Sequence, residues 1–174
     1  MTMAFNARPQ HDAVPKGAGD ATLPLAVDLD GTLLLTDTLF EALAEQLRRR
    51  PIWTLWQMIQ LPFSIAKVKA RIQCEARVDI ARLPVNQAVA DYCARAKAAG
   101  RPVWLVTAAD QTVADETVKH FPFFDRAVGS DGVTNNKGSA KAKRLQELAP
   151  GGFEYVGDSR ADMKVWKHAS AASI

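Results

Sequence analysis

Two aspartates, Asp28 and Asp30, follow a short apolar run and stand directly before Gly31. The run, residues 25–27, has the length of a buried strand, and the glycine ends it. Carboxylates two residues apart on a strand point to the same side of the sheet. Two such charges repel each other unless a cation lies between them or one binds a proton. The pair predicts a site for a hard cation such as Mg²⁺; the alternative is two solvated carboxylates in a turn.

Polar groups follow other predicted strands too. Thr107 and Asp158 each come directly after a strand, Lys137 stands at a loop-to-helix junction, and Asp162 follows Asp158 by one helical turn. In a doubly wound sheet such positions meet in one crevice. Carboxylates that hold Mg²⁺, together with a hydroxyl and an ammonium, suit a phosphate monoester. Each residue also has a structural interpretation: Thr107 could cap the next helix, and Lys137 could be a solvated lysine.

The chemistry of such a set follows from its carboxylates. One aspartate can attack phosphorus and form an aspartyl-phosphate that water later cleaves. A second aspartate two residues on can protonate the leaving alcohol and then deprotonate the water. The paired aspartates therefore predict phosphoryl transfer through a covalent intermediate.

The elements that position these groups alternate along the chain. Strands are predicted at 25–28, 102–106, 125–129 and 153–156, with a fifth starting at 171, and helices at 111–120, 137–148 and after 157. This alternation predicts an α/β fold with a doubly wound, parallel, Rossmann-like sheet.

The segment between the first two strands is too long for a simple crossover. It carries predicted helices at 37–50, 52–66, 65–80 and 85–99. We therefore assign residues 36–84 to an inserted helical cap, and residues 23–35 and 85–174 to the core. Residues 1–22 have no apolar period and are assigned to a flexible leader.

The most apolar part of the cap, residues 52–66, has three interpretations. It carries two tryptophans and only Gln, Ser and Thr for polarity, and basic residues flank it on both sides. Cap helices could pack on each other there, or form an apolar lid that favours a hydrophobic or lipid-linked phosphate. The third interpretation is an interfacial helix that makes a peripheral membrane contact through residues 48–71.

Composition excludes several other classes. The 174 residues carry a net charge of +3, which is too small to indicate a nucleic-acid partner, and no aromatic and basic stripe is present. Two cysteines and three scattered histidines indicate neither a disulfide framework nor a zinc site, so a reducing, cytoplasmic setting is expected. No apolar run is long enough for a membrane span or a secretory signal.

Four of these segments, taken in order, resemble the motifs of one family. Residues 28–32 (DLDGT) resemble the first motif, DxDGT, of the haloacid dehalogenase (HAD) superfamily. Residues 105–107 (LVT) are similar to its second motif, Lys137 to its third, and residues 157–162 (GDSRAD) to its fourth, GDxxxD. The first and fourth motifs, about 130 residues apart, are the specific part of the resemblance.

The resemblance implies a role for each residue. Asp28 would be the nucleophile, Asp30 the general acid and base, Thr107 the phosphoryl-holding hydroxyl and Lys137 the neutralising cation. Mg²⁺ would be bound by Asp28, the main-chain carbonyl of Asp30, and Asp158, while Asp162 would orient Lys137 or a metal-bound water. Family members that act on carbon–halogen bonds lack the second aspartate. The resemblance therefore implies a Mg²⁺-dependent phosphatase acting on a small-molecule or lipid-linked phosphate monoester.

A closer resemblance is to the soluble amino-terminal HAD domain of some bacterial UbiA-type membrane prenyltransferases. It extends over PLAVDLDGTLLLTDTLFEAL, TNNKGSAKAKRLQE and YVGDSRADMKVW. It implies a domain at the inner face of the membrane whose carboxyl-terminal membrane partner is absent from this chain. It also leaves a second function open: a non-catalytic phosphate-binding module that regulates or docks the membrane domain.

Overall fold

The computed structural model describes residues 22–60, 71–72, 75, 78–131 and 136–173. The strands are β1 (Leu25–Val27), β2 (Val103–Asp110), β3 (Arg126–Ser130), β4 (Glu154–Val156) and β5 (Ala171–Ser173). The helices are α1 (Thr38–Arg49), α2 (Pro51–Gln60), α3 (Gln87–Ala98), α4 (Gln111–His120), α5 (Ser139–Leu148) and α6 (Met163–Trp166), with a 3₁₀ turn at Ile80–Arg82.

The five strands form one parallel sheet in the order β3-β2-β1-β4-β5. The central strand β1 pairs with β2 on one side and β4 on the other, and Val27 is level with Leu105 and Val156. Alternate residues of β1 enter opposite layers: Leu25 and Val27 pack with α3 and α4, and Ala26 packs with α5 and α6. The predicted doubly wound α/β sheet is confirmed.

Two boundaries differ from the sequence prediction in ways that affect the site. Strand β2 continues four residues past its predicted end, and Asp110 then caps α4 by accepting a hydrogen bond from the Thr112 N–H at 3.0 Å. Helix α5 begins at Ser139, after Gly138, whose φ of +57° lies outside the helical region. Lys137 therefore precedes the helix.

The segment between β1 and α3 leaves and rejoins the core at one place. Leu34 and Val85 form an antiparallel bridge. The Leu35 N–H donates to the Pro84 carbonyl at 2.8 Å, and the Asn86 N–H donates to the Leu33 carbonyl at 2.8 Å. This pairing brings the two ends of the assigned cap, residues 36–84, together beside β1. The division into core and cap stays a prediction.

Within the described part of that segment, α1 and α2 pack together and residues 71, 72 and 75 are helical. The predicted helix at 65–80 lies largely outside the described residues, as does the assigned leader apart from Thr22. Of the helices that the structure describes, none combines the length and the apolarity that crossing a membrane would need.

Candidate active site

Asp28 lies one residue past the end of β1, where its N–H donates to the Val156 carbonyl at 2.9 Å and ties the turn to β4. Its side chain is buried. The carboxylate Oδ1 accepts a hydrogen bond from the Leu29 N–H at 2.8 Å and lies 2.9 Å from Lys141 Nζ. Burial raises the pKa of Asp28, and the nearby Lys141 ammonium opposes that rise. The carboxylate is thus buried, with the Lys141 ammonium as its ion-pair partner.

Lys141 connects this carboxylate to a second one. Its Nζ donates to the Tyr155 hydroxyl at 2.9 Å and lies 3.5 Å from Asp162 Oδ1, and the side chain is buried. The Tyr155 hydroxyl in turn donates to Asp162 Oδ1 at 2.6 Å. Burial, together with the charges of Asp28 and Asp162, raises the pKa of Tyr155 well above its ordinary value, so the phenol remains a proton donor.

Asp162 is held from two directions. Its Oδ2 accepts hydrogen bonds from the Ser159 N–H at 3.0 Å and the Ser159 hydroxyl at 2.5 Å, while Oδ1 faces Tyr155 and Lys141. Burial alone would raise the pKa of Asp162, but Lys141 and the hydrogen bonds lower it below its ordinary value. Asp162 is therefore an ionised carboxylate in contact with both Lys141 and Tyr155.

Asp158 is the exposed member of the carboxylate group. Its Oδ1 accepts a hydrogen bond from the Thr32 hydroxyl at 3.2 Å. Partial desolvation raises its pKa, and the charge of Asp162 adds to the effect. Gly31 adopts a φ of +81°, and a Cβ at that position would overlap the Asp158 carboxylate. A glycine is thus required on both backbone and steric grounds for Asp158 to reach the β1 turn.

Asp30 lies two residues beyond Asp28, in the turn after β1. Its Oδ1 accepts a hydrogen bond from the Thr38 N–H, in the first turn of α1, at 2.7 Å. Burial raises its pKa to about 6, since it outweighs the Thr38 hydrogen bond, and the neighbouring charge of Asp37 contributes in the same direction. A carboxyl group with this pKa can exchange a proton near neutral pH.

Thr107 is buried in β2, two residues past the partner of Val27. Its Oγ1 accepts a hydrogen bond from the Ala109 N–H at 3.0 Å, and its carbonyl accepts one from Asn136 Nδ2 at 3.0 Å. The structure thus places Thr107 inside β2, two residues beyond the level at which the neighbouring strand β1 ends. The alternative in which Thr107 caps the following helix is wrong, because Asp110 caps α4.

The cation beside the carboxylates is Lys141. Lys137, to which the sequence analysis gave this role, is exposed, whereas Lys141 is buried against Asp28 and Asp162. The reason is the late start of α5: Lys137 lies before the helix, and Lys141 occupies its first turn on the face that packs on the sheet. The contact with the carboxylates that was expected of Lys137 is therefore made by Lys141.

Sequence reasoning missed three further polar residues. Tyr155 and Ser159 hold Asp162, and the Asn136 amide joins β2 to β3 by donating to the carbonyls of Thr107 and Val128 at 3.0 and 3.2 Å. Tyr155 could have been found from its position in a predicted buried strand, two residues before GDxxxD. A buried phenol hydroxyl requires a hydrogen-bond partner, and this motif supplies carboxylates.

The arrangement fits a hard divalent cation. Among the described residues, oxygens of Asp28, Asp158 and Asp162 lie within 4.8 Å of one another. All of these donors are carboxylates, which Mg²⁺ prefers. Since Asp162 is already saturated by hydrogen bonds, Asp28 and Asp158 are the two carboxylates with free oxygens for a cation.

Comparison with known protein families identifies the family to which this chain belongs. The sequence model of the haloacid dehalogenase-like hydrolases matches residues 64–167. The chain belongs to this family. This HAD chain is also 41% identical, over 163 residues, to an uncharacterized protein, y4nM, from Sinorhizobium fredii (strain NBRC 101917 / NGR234). The alignment covers 89% of the HAD chain but only 30% of that curated relative.

Solved structures share the fold of the HAD chain. A Bordetella pertussis Tohama I protein of unknown function has a TM-score of 0.64 and 18% identity, covering 87% of this chain and 89% of its own. A substrate-bound phosphoserine phosphatase has a TM-score of 0.61 and 17% identity, covering 87% of this chain and 84% of its own. At these identities the likeness establishes the architecture of the HAD chain.

Proposed function

We propose that this HAD chain is a Mg²⁺-dependent phosphohydrolase that cleaves a phosphate monoester through an aspartyl-phosphate on Asp28. The observation that carries the proposal is the position of the Asp28 carboxylate. It is buried at the end of the central strand, 2.9 Å from Lys141 Nζ and within 4.8 Å of oxygens of Asp158 and Asp162. Membership of the hydrolase family and the shared fold with a phosphoserine phosphatase support it.

Each residue of the set has a distinct task. Asp28 Oδ attacks phosphorus, the bond to the leaving oxygen breaks, and Asp30 gives that oxygen a proton. Asp30 then takes a proton from the water that cleaves the aspartyl-phosphate, so that the carboxyl group is restored. A pKa of about 6 suits both half-reactions, because the proton is neither too tightly nor too weakly held near neutral pH.

Lys141 and Thr107 bind the transferred group. The Lys141 ammonium neutralises phosphoryl charge beside Asp28, and Tyr155 with Asp162 keeps it from turning away. In the second motif the residues after Thr107 are two alanines, which offer the phosphoryl group no side-chain donor. Asp28, Asp158 and the Asp30 carbonyl would hold Mg²⁺, which supplies charge neutralisation for the phosphoryl oxygens.

Turnover of p-nitrophenyl phosphate tests the proposal. We expect hydrolysis with Mg²⁺, loss of hydrolysis in EDTA, and an acid-stable phosphoryl group on the wild-type protein after quenching. Asp28→Asn should abolish both turnover and labelling. Turnover that persists in Asp28→Asn would point to a contaminant and would contradict the mechanism.

The second candidate is a phosphate-binding module without turnover, and it makes a different prediction. The module would bind inorganic phosphate through Lys141 and Thr107 but would hydrolyse no ester. Asp30 favours the phosphohydrolase, because a pure binding site has no need of a group with a pKa of about 6 beside the nucleophile. A panel that includes sugar phosphates and prenyl-linked phosphates would identify the substrate class, and a flat response with retained phosphate binding would favour the module.

We also propose that the HAD chain is one domain of a longer protein with a UbiA-type membrane prenyltransferase domain. In support, the chain spans only 30% of the length of its curated relative. Mass spectrometry of the protein isolated from its native membranes, with peptides mapped past residue 174, tests this. A mature protein without further domains would contradict it.

A further inference from the structure

Helix α2 presents an apolar face to solvent. Ile52, Leu55, Trp56 and Ile59 are 85%, 55%, 57% and 70% exposed. Their spacing of three, four and seven residues places them on one side of the helix. We refer to these four residues as the α2 apolar face. Large side chains grouped in this way on a protein surface mark an interaction site.

The opposite side of α2 is already packed. Thr54 is buried and its hydroxyl donates to the Arg50 carbonyl at 2.9 Å, while Trp53 is half-buried. The helix contacts α1 on this side. The α2 apolar face is therefore the solvent-exposed side of a helix that packs against α1.

The sequence segment that contains α2 carries charge of one sign. Residues 46–74 contain six lysines and arginines and no acidic residue. The remainder of the chain holds 16 of the 22 basic residues and all 19 acidic ones, so it is net negative. The positive charge of this protein is concentrated on the segment that carries the α2 apolar face.

The arginines next to the helix retain excess positive charge after their ion pairs are counted. Arg48 and Arg49 share one partner, Glu45, at 2.9 and 2.5 Å, and Arg50 lies 3.7 Å from Glu75. All three arginine side chains are more than half exposed. They stand at the junction of α1 and α2, directly before Pro51.

We propose that the α2 apolar face inserts into the interface of an anionic lipid bilayer, with Arg48, Arg49 and Arg50 against the headgroups. Ten residues make a helix of about 15 Å, which is half the hydrocarbon thickness of a bilayer, so α2 lies along the surface. Apolar burial supplies the attachment, and the three arginines select anionic lipids over neutral ones. The contact would bring the cap segment, and with it the site, to lipid-linked phosphates.

Co-flotation of the full chain with vesicles tests this surface independently of catalysis. We expect binding to phosphatidylcholine mixed with phosphatidylglycerol, little binding to phosphatidylcholine alone, and weakening at high salt. Ile52→Gln with Ile59→Gln should lower the partition coefficient at least about tenfold, since it removes exposed apolar area without touching the core. Arg48→Gln with Arg49→Gln should lower it by up to about fivefold per arginine.

Matched controls are available in the same chain. Arg82 is an exposed arginine in an i,i+3 pair with Asp79, like Arg48 with Glu45, but it lies outside the basic segment. Arg82→Gln should leave vesicle binding unchanged. Leu35 is 61% exposed and is not on α2, so Leu35→Gln controls for the loss of any exposed apolar side chain. Quenching of tryptophan fluorescence by brominated lipid should fall strongly in Trp56→Phe.

Three outcomes would overturn the proposal. The folded wild-type chain could fail to float with anionic vesicles. Vesicle binding could be unchanged in both the Ile52/Ile59 and the Arg48/Arg49 variants, which would show that another surface of the chain contacts the lipid. Light scattering could instead show a dimer that Ile52→Gln dissociates, while no vesicle binding is seen. A second copy of the chain would then cover the α2 apolar face. Vesicle binding by a chain that hydrolyses no ester would refute the phosphohydrolase and leave this surface standing.

Discussion

The Lys141 ammonium and the Asp28 carboxylate are 2.9 Å apart in the buried centre of this HAD domain. Asp162 lies 3.5 Å from the same nitrogen and Tyr155 accepts its hydrogen bond, so a single cation faces two carboxylates. In the proposed mechanism, this geometry keeps the nucleophile and the phosphate-binding cation in contact before substrate arrives. Preorganisation of this kind means that no charged group has to be reoriented during the reaction.

Lys141→Met should therefore reduce phosphatase activity at least about a hundredfold, because the phosphoryl charge loses its buried counter-ion. Lys137→Met is the matched control: the same residue type, four positions earlier, with an exposed side chain. We expect that variant to stay within about twofold of the wild type, as surface changes away from a site do. Steady-state kinetics with circular dichroism to confirm folding measure both, and the reverse ranking would restore the role to Lys137.

Asp30→Asn should reveal the proton donor through the choice of leaving group. A general acid contributes about 10²–10⁴-fold when the departing oxygen needs a proton. The variant should thus lose far more activity on an alkyl phosphate than on p-nitrophenyl phosphate, whose phenolate leaves readily without one. An equal loss on both esters would assign Asp30 a structural role, through its hydrogen bond from Thr38.

The raised pKa of Asp30 also has a consequence for stability. Because the folded state raises this pKa to about 6 from its ordinary value of 3.8, folding favours the protonated form, and stability is lost as the pH rises from about 4 to 6. Asn keeps the acceptor for the Thr38 N–H and removes the charge. Asp30→Asn should therefore melt a few degrees above the wild type at pH 7.5 (roughly 2–6 °C). The gap should shrink toward pH 4, and calorimetry in EDTA measures it.

Tyr155→Phe should separate positioning from folding. The change removes the hydroxyl that joins Lys141 to Asp162. We therefore expect the free energy of unfolding to fall by about 1–2 kcal/mol and kcat/KM to fall by about tenfold. Tyr92→Phe is the control, because the Tyr92 hydroxyl donates to Glu154 Oε1 at 2.7 Å away from the carboxylate cluster. It should lose similar stability and keep kcat/KM. If the two variants show the same kinetics, Tyr155 does not position Lys141.

Gly31→Ala should weaken metal binding beyond its effect on stability. Gly31 and Gly100 have φ values of +81° and +80°, so alanine at either position is strained by about 1 kcal/mol. A Cβ on Gly31 would displace the Asp158 carboxylate, whereas a Cβ on Gly100 meets nothing within 4 Å. We expect the Mg²⁺ concentration for half-maximal activity to rise about tenfold in Gly31→Ala alone. An unchanged Mg²⁺ requirement would argue against Asp158 as a ligand.

The parts of this protein that could be predicted from sequence are those with local signals. The apolar run before Asp28, the glycine after Asp30 and the polar turn after β4 each specify a strand and a turn within a few residues. Because parallel strands joined by helices align their carboxyl ends, four aspartates from two distant segments could be assigned to one crevice from the sequence. In the structure, oxygens of three of them, Asp28, Asp158 and Asp162, lie within 4.8 Å of one another.

Predictions failed where the outcome depends on where one element begins relative to another. Lys137 and Lys141 are equivalent by composition, and Gly138 decides between them by delaying α5 until Ser139. Tyr155 is an ordinary strand residue in the sequence and becomes part of the site only because α5 packs over β4. The three interpretations of the segment after Arg50 could not be separated by periodicity. An apolar helix face has the same sequence pattern whether protein, lipid or solvent lies against it.

The sequence by itself determined the carboxylates, their order along the chain and the hydrolase family, because those depend on residue type and local spacing. Only the tertiary structure decided which lysine faces Asp28, which hydroxyl restrains it and which side of α2 stays uncovered. Those choices depend on distances between residues far apart in the chain, and such distances are fixed by packing.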